Sequence, residues 1–158
     1  MPRRGSVRIK KINPDIVYGS EMVSKLINRL MRDGKKGAAK TQVYKAFSLI
    51  KEENQDPIKV FDSALANIRP EMEVRARRVG GAAYQVPMQV RGSRKDSLAI
   101  RWLIAAARAK SNSEYHTFAE KLKTEISDAA KGEGGAVKKR QEIERVAEAN
   151  RAFAHFKW

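Results

Sequence analysis

The chain has 158 residues, with 33 lysines and arginines against 18 aspartates and glutamates, which gives a formal net charge of +15 at pH 7. It contains no cysteine, and this excludes disulfide bonds, cysteine-ligated zinc and a thiol nucleophile. With 42% hydrophobic residues a chain of this length can build one folded core, so wholesale disorder is excluded. The excess positive charge predicts a polyanionic partner, either nucleic acid or an anionic membrane surface.

Residues 1–19 lack hydrophobic periodicity and contain two prolines, so we predict an extended basic tail. Five cations without an acidic neighbour lie in its first eleven residues: Arg3, Arg4, Arg8, Lys10 and Lys11. This composition is typical of a transit peptide, but Pro14 interrupts it before an amphipathic helix could develop. The longest apolar run, residues 102–107, is far shorter than the ~20 residues that span a bilayer. We therefore predict a protein of the cytoplasm or of an organelle matrix.

Three helices are predicted between residues 20 and 70. Ser20 is a candidate N-cap, and apolar pairs recur with helical period until Asp33-Gly34. A second helix is expected over about residues 37–53, and a third begins at Asp56-Pro57, where proline suits the first helical position. The first helix should carry one basic ridge opposite its apolar face, because four cations follow helical spacing: Lys25, Arg29, Arg32 and Lys36.

The period changes to two over residues 71–91, and Gly80-Gly81 supplies the backbone freedom that a tight turn needs. We predict a two-stranded β-hairpin. A lone hairpin is marginal in water, so it either packs on the helices at its base or becomes ordered against a partner. Its basic residues form a cluster, with three on the strands and three at the base: Arg75, Arg77, Arg78, Arg91, Arg94 and Lys95.

Residues 92–150 return to helical period. Ser93 and Asp96 predict a capping box at the start of a helix that ends at Ala109. This helix should be central, because it is apolar except for one stripe spaced by seven: Arg94, Arg101 and Arg108. A helix over about residues 114–130 follows, then a glycine linker at 132–135. The last helix, about 136–150, has few apolar anchors and should be peripheral: Val137, Ile143, Val146 and Ala147.

These elements predict a mainly α fold: a single bundle of about six helices, 20–70 and 92–150, with a protruding two-stranded β-hairpin arm, 71–91, and a basic extended tail. The end of the chain, 151–158, interleaves aromatic and basic residues, including Arg151 and Trp158. Such aromatic rings can stack on unpaired bases of RNA. The alternative for Phe153 and Phe156 is that they only anchor the chain end on the folded body.

Enzyme motifs fail on specific residues. The segment at Gly34-Lys35 lacks the phosphate-loop pattern, because Arg29 stands where that motif needs glycine and Lys36 where it needs serine or threonine. The two histidines, His116 and His155, lie on different elements without a zinc-binding pattern. We predict neither a catalytic residue nor a metal or other cofactor.

The distribution of positive charge along the chain is the remaining indication of function. A single basic run is commonly only a solvated helix face, but four basic zones together favour polyanion binding. Three are the tail, the ridge and the hairpin cluster, and the fourth is Lys138, Lys139 and Arg140. Charge spread over a body and its extensions is typical of a protein that reaches into a large folded RNA, whereas DNA-binding helix pairs usually present one recognition helix.

Long strings of the sequence resemble one family, the bacterial-type small-subunit ribosomal protein S-seven family. They are residues 73–87 (EVRARRVGGAAYQVP) and 147–158 (AEANRAFAHFKW), with shorter matches at residues 2–4, 33–36 and 136–140. The resemblance covers essentially the whole chain. Departures are modest: Ile16 stands where the family often has proline, Met88-Gln89 replaces a common Val-Glu, and Glu144 replaces a common His.

The resemblance implies a structural, non-catalytic protein that binds the 3′ major domain of 16S-type ribosomal RNA and nucleates assembly of the small-subunit head. It also implies that the hairpin and the C-terminal end line the exit-site transfer-RNA and messenger path and approach the platform protein S-eleven. Two alternatives stay open: a free-standing basic nucleoid or RNA-chaperone protein, and, more remotely, an RNA-modifying enzyme.

Overall fold

A computed structural model describes residues 12–156. The predicted binding residues Arg3, Arg4, Arg8, Lys10, Lys11 and Trp158 lie outside the described residues. In chain order the elements are α1 (Glu21–Leu30), α2 (Lys36–Glu52), α3 (Pro57–Ile68), β1 (Met72–Val79), β2 (Ala82–Gln89), α4 (Gly92–Ala109), α5 (Phe118–Ala130), α6 (Gly135–Ala149) and a terminal 3-10 helix (Arg151–Phe156). The prediction of a mainly α fold with a β-hairpin arm is confirmed.

Local chemistry explains how α1 begins and ends. Ser20 caps its N-terminus by accepting from the Val23 amide, as predicted. The helix stops at Leu30, and the loop to α2 turns through Asp33 and Gly34, which both have positive φ angles, 53° and 73°. The predicted ridge from Lys25 to Lys36 is therefore wrong as a single helical stripe. Lys25 and Arg29 lie on α1, Arg32 lies in the loop, and Lys36 begins α2.

The hydrophobic core lies among α1 to α5, and α6 closes it. The α4 helix packs against α1, α3, α5 and α6, while α5 packs against α2, α3, α4 and α6, so the central position expected for α4 is shared by two helices. The largest fully buried side chains include Phe47, Phe61, Leu103, Leu122 and Ile126. All five come from the apolar faces that the helical period predicts.

One predicted helix start and one predicted N-cap are wrong, whereas α4 begins at Gly92, within one residue of the predicted Ser93. α5 begins at Phe118, four residues after the predicted Glu114, because Thr117 and Glu120 form a reciprocal capping box. The box predicted at Ser93 and Asp96 does not form. The Asp96 carboxylate instead accepts a 2.8 Å hydrogen bond from Arg69 Nε, which ties the end of α3 to the start of α4.

The hairpin is one antiparallel pair, with Val79 opposite Ala82 across the Gly80-Gly81 turn. Both glycines have positive φ angles, 57° and 89°, as the turn requires. The hairpin packs against α6 and, through β2, against the terminal 3-10 helix, so the first of the two predicted arrangements, packing on helices, is observed.

α6 is less peripheral than predicted, because it contacts both strands as well as α3, α4 and α5. Val146 is 39% exposed and is not an anchor. The predicted anchors Val137 and Ala147 are buried, Ile143 packs partly buried against the core, and Ala136 adds to the buried face.

The chain before α1 also departs from the prediction of an extended tail reaching residue 19. Asp15 lies 7% exposed in a tight turn closed by two backbone hydrogen bonds, Asp15 N to Ser20 O and Gly19 N to Asp15 O. The Tyr18 ring packs edge-on against Phe47 at 5.0 Å between ring centroids. The folded body therefore begins at residue 15. The expectation of an extended tail concerns only the residues before it.

Candidate nucleic-acid interface

The loop between α1 and α2 borders an open groove of about 460 Å³, which we call the loop groove. Its cations come from two separate stretches of chain: Arg32 and Lys35 from the α1–α2 loop, and Arg108 from the end of α4. Arg108 donates from Nη2 to the Leu30 carbonyl at 3.2 Å, which fixes its guanidinium beside the end of α1. The fold thus brings together cations that are 73 or more residues apart, as Arg108 and Lys35 are.

The electrostatics of the loop groove favour an anion. Burial lowers the pKa of Arg108, and the positive charge of Arg32 lowers it further. Within residues 12–156, neither Arg32 nor Lys35 has a carboxylate partner. An anion placed between these cations would relieve their mutual repulsion and gain charge-assisted hydrogen bonds, so this groove has the chemistry to hold a phosphate.

A second groove, of about 340 Å³, runs between α1 and α4, and we call it the α1/α4 groove. Ile12 and Ile100 supply apolar surface, and its polar and basic lining comes from Lys25, Asn28, Arg29, Ser93 and Ser97. Lys25 is partly neutralised by Glu21 at 3.0 Å and by Asp96 at 3.9 Å, while Arg29 has no carboxylate partner among the described residues. Apolar surface beside amide, hydroxyl and guanidinium groups suits an unstacked base and its phosphate.

The hairpin base is a different environment, because a buried carboxylate holds two of its arginines. Glu73 is 8% exposed. Arg94 donates from Nε to both Glu73 oxygens at 2.9 and 2.7 Å, and Arg75 donates from Nε at 2.7 Å. Burial raises the pKa of Glu73, but the hydrogen bonds from Arg94 and Arg75 outweigh it and leave the pKa below its ordinary value of 4.5.

The outer hairpin and the chain end form one aromatic cluster. Tyr84 on β2 lies 5.2 Å from Phe153 and 5.4 Å from Phe156, measured between ring centroids. This contact supports the anchoring role for both phenylalanines, with the hairpin as the surface to which the chain end is attached. The His155 ring packs against Phe156 at a tilt of 47° with centroids 4.0 Å apart, and its Nδ1 lies 2.9 Å from the Ala152 carbonyl oxygen.

Ion pairing sorts the described candidate cations into two groups. Six have carboxylate partners: Lys25, Arg75, Arg94, Lys139, Arg140 and Arg151. Ten have none within residues 12–156: Arg29, Arg32, Lys35, Lys36, Arg78, Arg91, Lys95, Arg101, Arg108 and Lys138. Arg77 lies opposite Tyr84 in the hairpin register and belongs to neither group. The unpaired cations concentrate on α1, the α1–α2 loop and α4.

The other end of α2 is acidic, which the sequence analysis missed. Glu52, Glu53 and Glu120 line a groove of about 300 Å³ with Tyr115, and Lys123 pairs with Glu53. A 17-residue helix is about 25 Å long at 1.5 Å per residue, so this groove lies about that far from Lys36. The body is therefore polarised along α2, and a polyanion would approach the α1–α2 loop end.

Nothing in the described part of the chain suggests metal binding: residues 12–156 contain no group of three or more histidines, aspartates or glutamates placed to hold an ion. Over the same residues, each helix is too short or too polar to cross a membrane. His116 precedes α5 and His155 lies in the terminal 3-10 helix, so the two histidines lie on different elements, as predicted.

The fold and its surface define a class: a strongly basic, mainly helical protein with a hairpin arm and a polarised charge distribution. Comparison with known proteins supplies the family. The sequence model of ribosomal protein S7p/S5e matches residues 2–151, and the chain belongs to this family. The resemblance seen in the sequence is thereby confirmed. Because the family consists of ribosomal proteins, the expectation that the chain is not an enzyme is also confirmed.

Individual relatives align with this chain along its full length. The small ribosomal subunit protein uS7 of Carboxydothermus hydrogenoformans is 52% identical over 159 aligned residues, which cover 100% of both chains. The uS7 proteins of Caldicellulosiruptor bescii and Latilactobacillus sakei are 52% and 50% identical, again over 100% of both chains. The chain is thus a structural protein of the ribosome.

Proposed function

We propose that this protein binds the 3′ major domain of 16S-type ribosomal RNA through the side of its body that carries the loop groove and the α1/α4 groove. Through these contacts it organises the small-subunit head. The two grooves share α1 and α4, and their cations hold phosphates while Asn28, Ser93 and Ser97 are available to an unstacked base. The predicted cytoplasmic location follows from this role.

One observation supports the proposal most strongly: Arg32, Lys35 and Arg108 converge on a single groove without a carboxylate partner among the described residues. At the far end of α4 from the hairpin, Lys110 shows the opposite arrangement, since Glu125 and Asp128 neutralise it. Leaving three like charges together destabilises the free protein unless an anion binds there. Membership in a ribosomal family makes RNA phosphate the fitting anion.

The hairpin and the terminal 3-10 helix serve a second, separate surface in this proposal. Because Tyr84, Phe153 and Phe156 pack together, the arm and the chain end form one unit that projects from the body. We assign to this unit the exit-site transfer-RNA and messenger path and the contact with platform protein S-eleven. This assignment rests on the family resemblance, and the geometry adds that both contacts would come from one rigid surface.

Binding of the full-length protein to a transcript of the 3′ major domain tests the main proposal. Affinity should fall steeply between about 50 and 200 mM salt, because neutralising several phosphates releases counterions. A transcript of another small-subunit domain, matched in length, is the control and should bind much more weakly at the higher salt. Equal binding of both transcripts would favour the free-standing RNA-chaperone alternative. Co-sedimentation with small subunits at high salt separates the same two alternatives.

A further inference from the structure

The loop groove contains one hydrogen-bond acceptor that its cations do not satisfy. Gln42 on α2 lines this groove together with Arg32, Lys35 and Arg108. Its side chain is half-buried, and its amide oxygen Oε1 is shielded from solvent and accepts no hydrogen bond within residues 12–156. A buried acceptor without a donor costs free energy, so the groove carries an unsatisfied acceptor as well as unpaired positive charge.

The rest of the lining of the loop groove is apolar. Leu30, Ala38, Ala39 and Phe118 complete it. Phe118 is the first residue of α5, and its ring is half-buried and packs against the core. The groove thus combines unpaired cations, an apolar wall with one aromatic ring, and a single amide acceptor. Its volume of about 460 Å³ lies in the range of small-ligand sites, ~300–1,000 Å³.

A phosphate alone does not match this lining. The oxygens of a phosphodiester accept hydrogen bonds and donate none, so phosphate would leave Gln42 Oε1 without a donor. A nucleotide adds a base, which has N–H donors and a flat face that packs on aromatic rings, and a ribose whose 2′-hydroxyl donates. The last torsion of a glutamine side chain is broad, so the amide can turn toward a donor in the groove while α2 stays in place.

We propose that the loop groove binds one unpaired nucleotide of the RNA, with its phosphate among the three cations and its base or ribose donating a hydrogen bond to Gln42 Oε1. This inference rests on the proposed function, since it names the ligand of the same groove. Gln42 is then a specificity-determining residue. The cations supply most of the affinity, and Gln42 distinguishes a nucleotide from a bare phosphate.

Binding of the full-length protein to two probes tests the proposal: a single-stranded RNA oligonucleotide of mixed sequence, and inorganic polyphosphate with the same number of phosphates. Gln42→Met removes the acceptor and keeps both the unbranched side chain and the net charge. It should weaken binding of the RNA oligonucleotide about three- to tenfold and change polyphosphate binding by less than about twofold. The salt dependence of both affinities should stay the same, because the charge is unchanged. The melting temperature should be unchanged or higher, because an unsatisfied acceptor is removed.

Gln55→Met is the matched control, because Gln55 is exposed in the loop between α2 and α3. It should leave both affinities unchanged. Arg32/Lys35→Gln should weaken binding of both probes, and adding Gln42→Met to that protein should have no further effect, which assigns the Gln42 effect to the loop groove.

Phe118→Leu tests the apolar wall independently. It removes the ring and keeps an apolar side chain, so it should weaken binding of the RNA oligonucleotide and leave polyphosphate binding unchanged. A DNA oligonucleotide of the same sequence identifies the donor to Gln42. A loss on RNA alone with Gln42→Met assigns the donor to the 2′-hydroxyl, and an equal loss on DNA assigns it to a base.

Two results would overturn the proposal: an unchanged RNA affinity for a folded Gln42→Met protein, or an equal loss of polyphosphate affinity, which would mean that Gln42 only positions the cations. If Gln42→Met does not fold, the same two results for Phe118→Leu decide. Failure of the proposed function looks different, because the unmodified protein would then fail to prefer the 3′ major domain transcript over the control transcript.

Discussion

Arg94 and Arg108 lie near opposite ends of α4 and illustrate two ways in which this protein treats a positive charge. At the hairpin base, the buried Glu73 takes two-point hydrogen bonds from Arg94 and a further one from Arg75. At the loop groove, Arg108 lies with Arg32 and Lys35, and within residues 12–156 it donates to a backbone carbonyl and to no carboxylate. The first arrangement holds the arm to the body, and the second leaves charge available for an anion.

This difference shows that a count of basic residues overstates the binding surface. An arginine that is already held by a buried carboxylate offers phosphate fewer free donors and less uncompensated charge, and releasing it fully would leave the carboxylate unpaired at a cost in free energy. The unpaired cations carry no such cost. The contrast leads to specific expectations for α4, for the loop groove and for the arm.

The largest effect on stability should come from α4, where a core side chain and an exposed side chain occupy adjacent positions. Trp102 is 9% exposed and packs in the core, whereas Arg101 is exposed. Trp102→Ala should lower the free energy of unfolding by about 3–5 kcal/mol, because it leaves a large cavity. Arg101→Ala should change stability by less than about 0.5 kcal/mol and weaken RNA binding instead. Thermal and denaturant melts of both variants decide this, and an unchanged Trp102→Ala melt would mean that α4 is rotated.

The loop groove should give the largest effect on RNA affinity. Arg32/Lys35→Gln removes two unpaired cations and should weaken binding at least about tenfold, since one charge-assisted hydrogen bond contributes about 1.5–3 kcal/mol. The slope of log affinity against log salt should fall by about two. The melting temperature should stay the same or rise slightly, because repulsion between Arg32 and Arg108 is relieved.

Lys59/Lys123→Gln is the control for the loop groove. It removes the same charge, but both lysines pair with carboxylates, Asp56 and Glu53. Affinity should change by less than about twofold if availability, rather than total charge, governs binding. An equal loss for the two double variants would contradict the distinction drawn between paired and unpaired cations.

Much of the fold could be predicted from local signals. The apolar faces of the helices, the Ser20 and Asp56-Pro57 helix starts and the Gly80-Gly81 turn each depend on residues within a few positions of one another. The errors arose where a local signal had a competitor. Ser93 and Asp96 have the spacing of a capping box, but Arg69, 27 residues earlier, takes the Asp96 carboxylate.

The candidate site was harder to predict, because its residues meet only through tertiary packing. No sequence pattern links Lys35 to Arg108, or Glu73 to Arg94, and the polarity of α2 emerges only when α5 is packed beside it. Asp15 had a usable signal, since an aspartate between Pro14 and Gly19 is typical of a side chain that bonds the following amides in a turn. The residues lining the α1/α4 groove, such as Asn28 and Ser97, had none.

Glu73 should control the stability of the arm attachment. Glu73→Gln weakens the hydrogen bonds from Arg75 and Arg94 at a nearly buried site and should lower the free energy of unfolding by about 1–3 kcal/mol. RNA affinity should be unchanged or increased, because two arginines are released. Denaturant melts combined with binding to the 3′ major domain transcript measure both. A loss of RNA affinity with an intact fold would show that Arg75 and Arg94 contribute to RNA binding while they are paired with Glu73.

At acid pH the unmodified protein should lose the stabilisation that the Glu73 carboxylate provides. The folded-state pKa values of Glu73 and Asp15 both lie below their ordinary values of 4.5 and 3.8. Their stabilisation is therefore fully present above those values and is lost as the pH falls through the folded pKa values. The difference in melting temperature between the unmodified protein and Glu73→Gln should be largest near about pH 7 and shrink toward about pH 3. A constant difference would mean that the Glu73 charge contributes nothing.

The smallest effect on the folded body is expected at the tip of the arm. Arg78 is exposed, lies opposite Ala83 near the turn and has no carboxylate partner within the described residues. Arg78→Ala should shift the melting temperature by no more than about one degree, because it removes no buried contact.

On 3′ major domain RNA, Arg78→Ala should lose less than about threefold in affinity, well below the loop-groove variant, since Arg78 lines neither of the two grooves. Subunits assembled with Arg78→Ala should form their heads normally and show reduced exit-site transfer-RNA occupancy, whereas Arg32/Lys35→Gln should impair head assembly first. Measuring both steps for both variants separates arm from body. If the arm variant blocks head assembly as severely as the loop-groove variant, unpaired charge on the arm serves the same RNA contact as unpaired charge on the body.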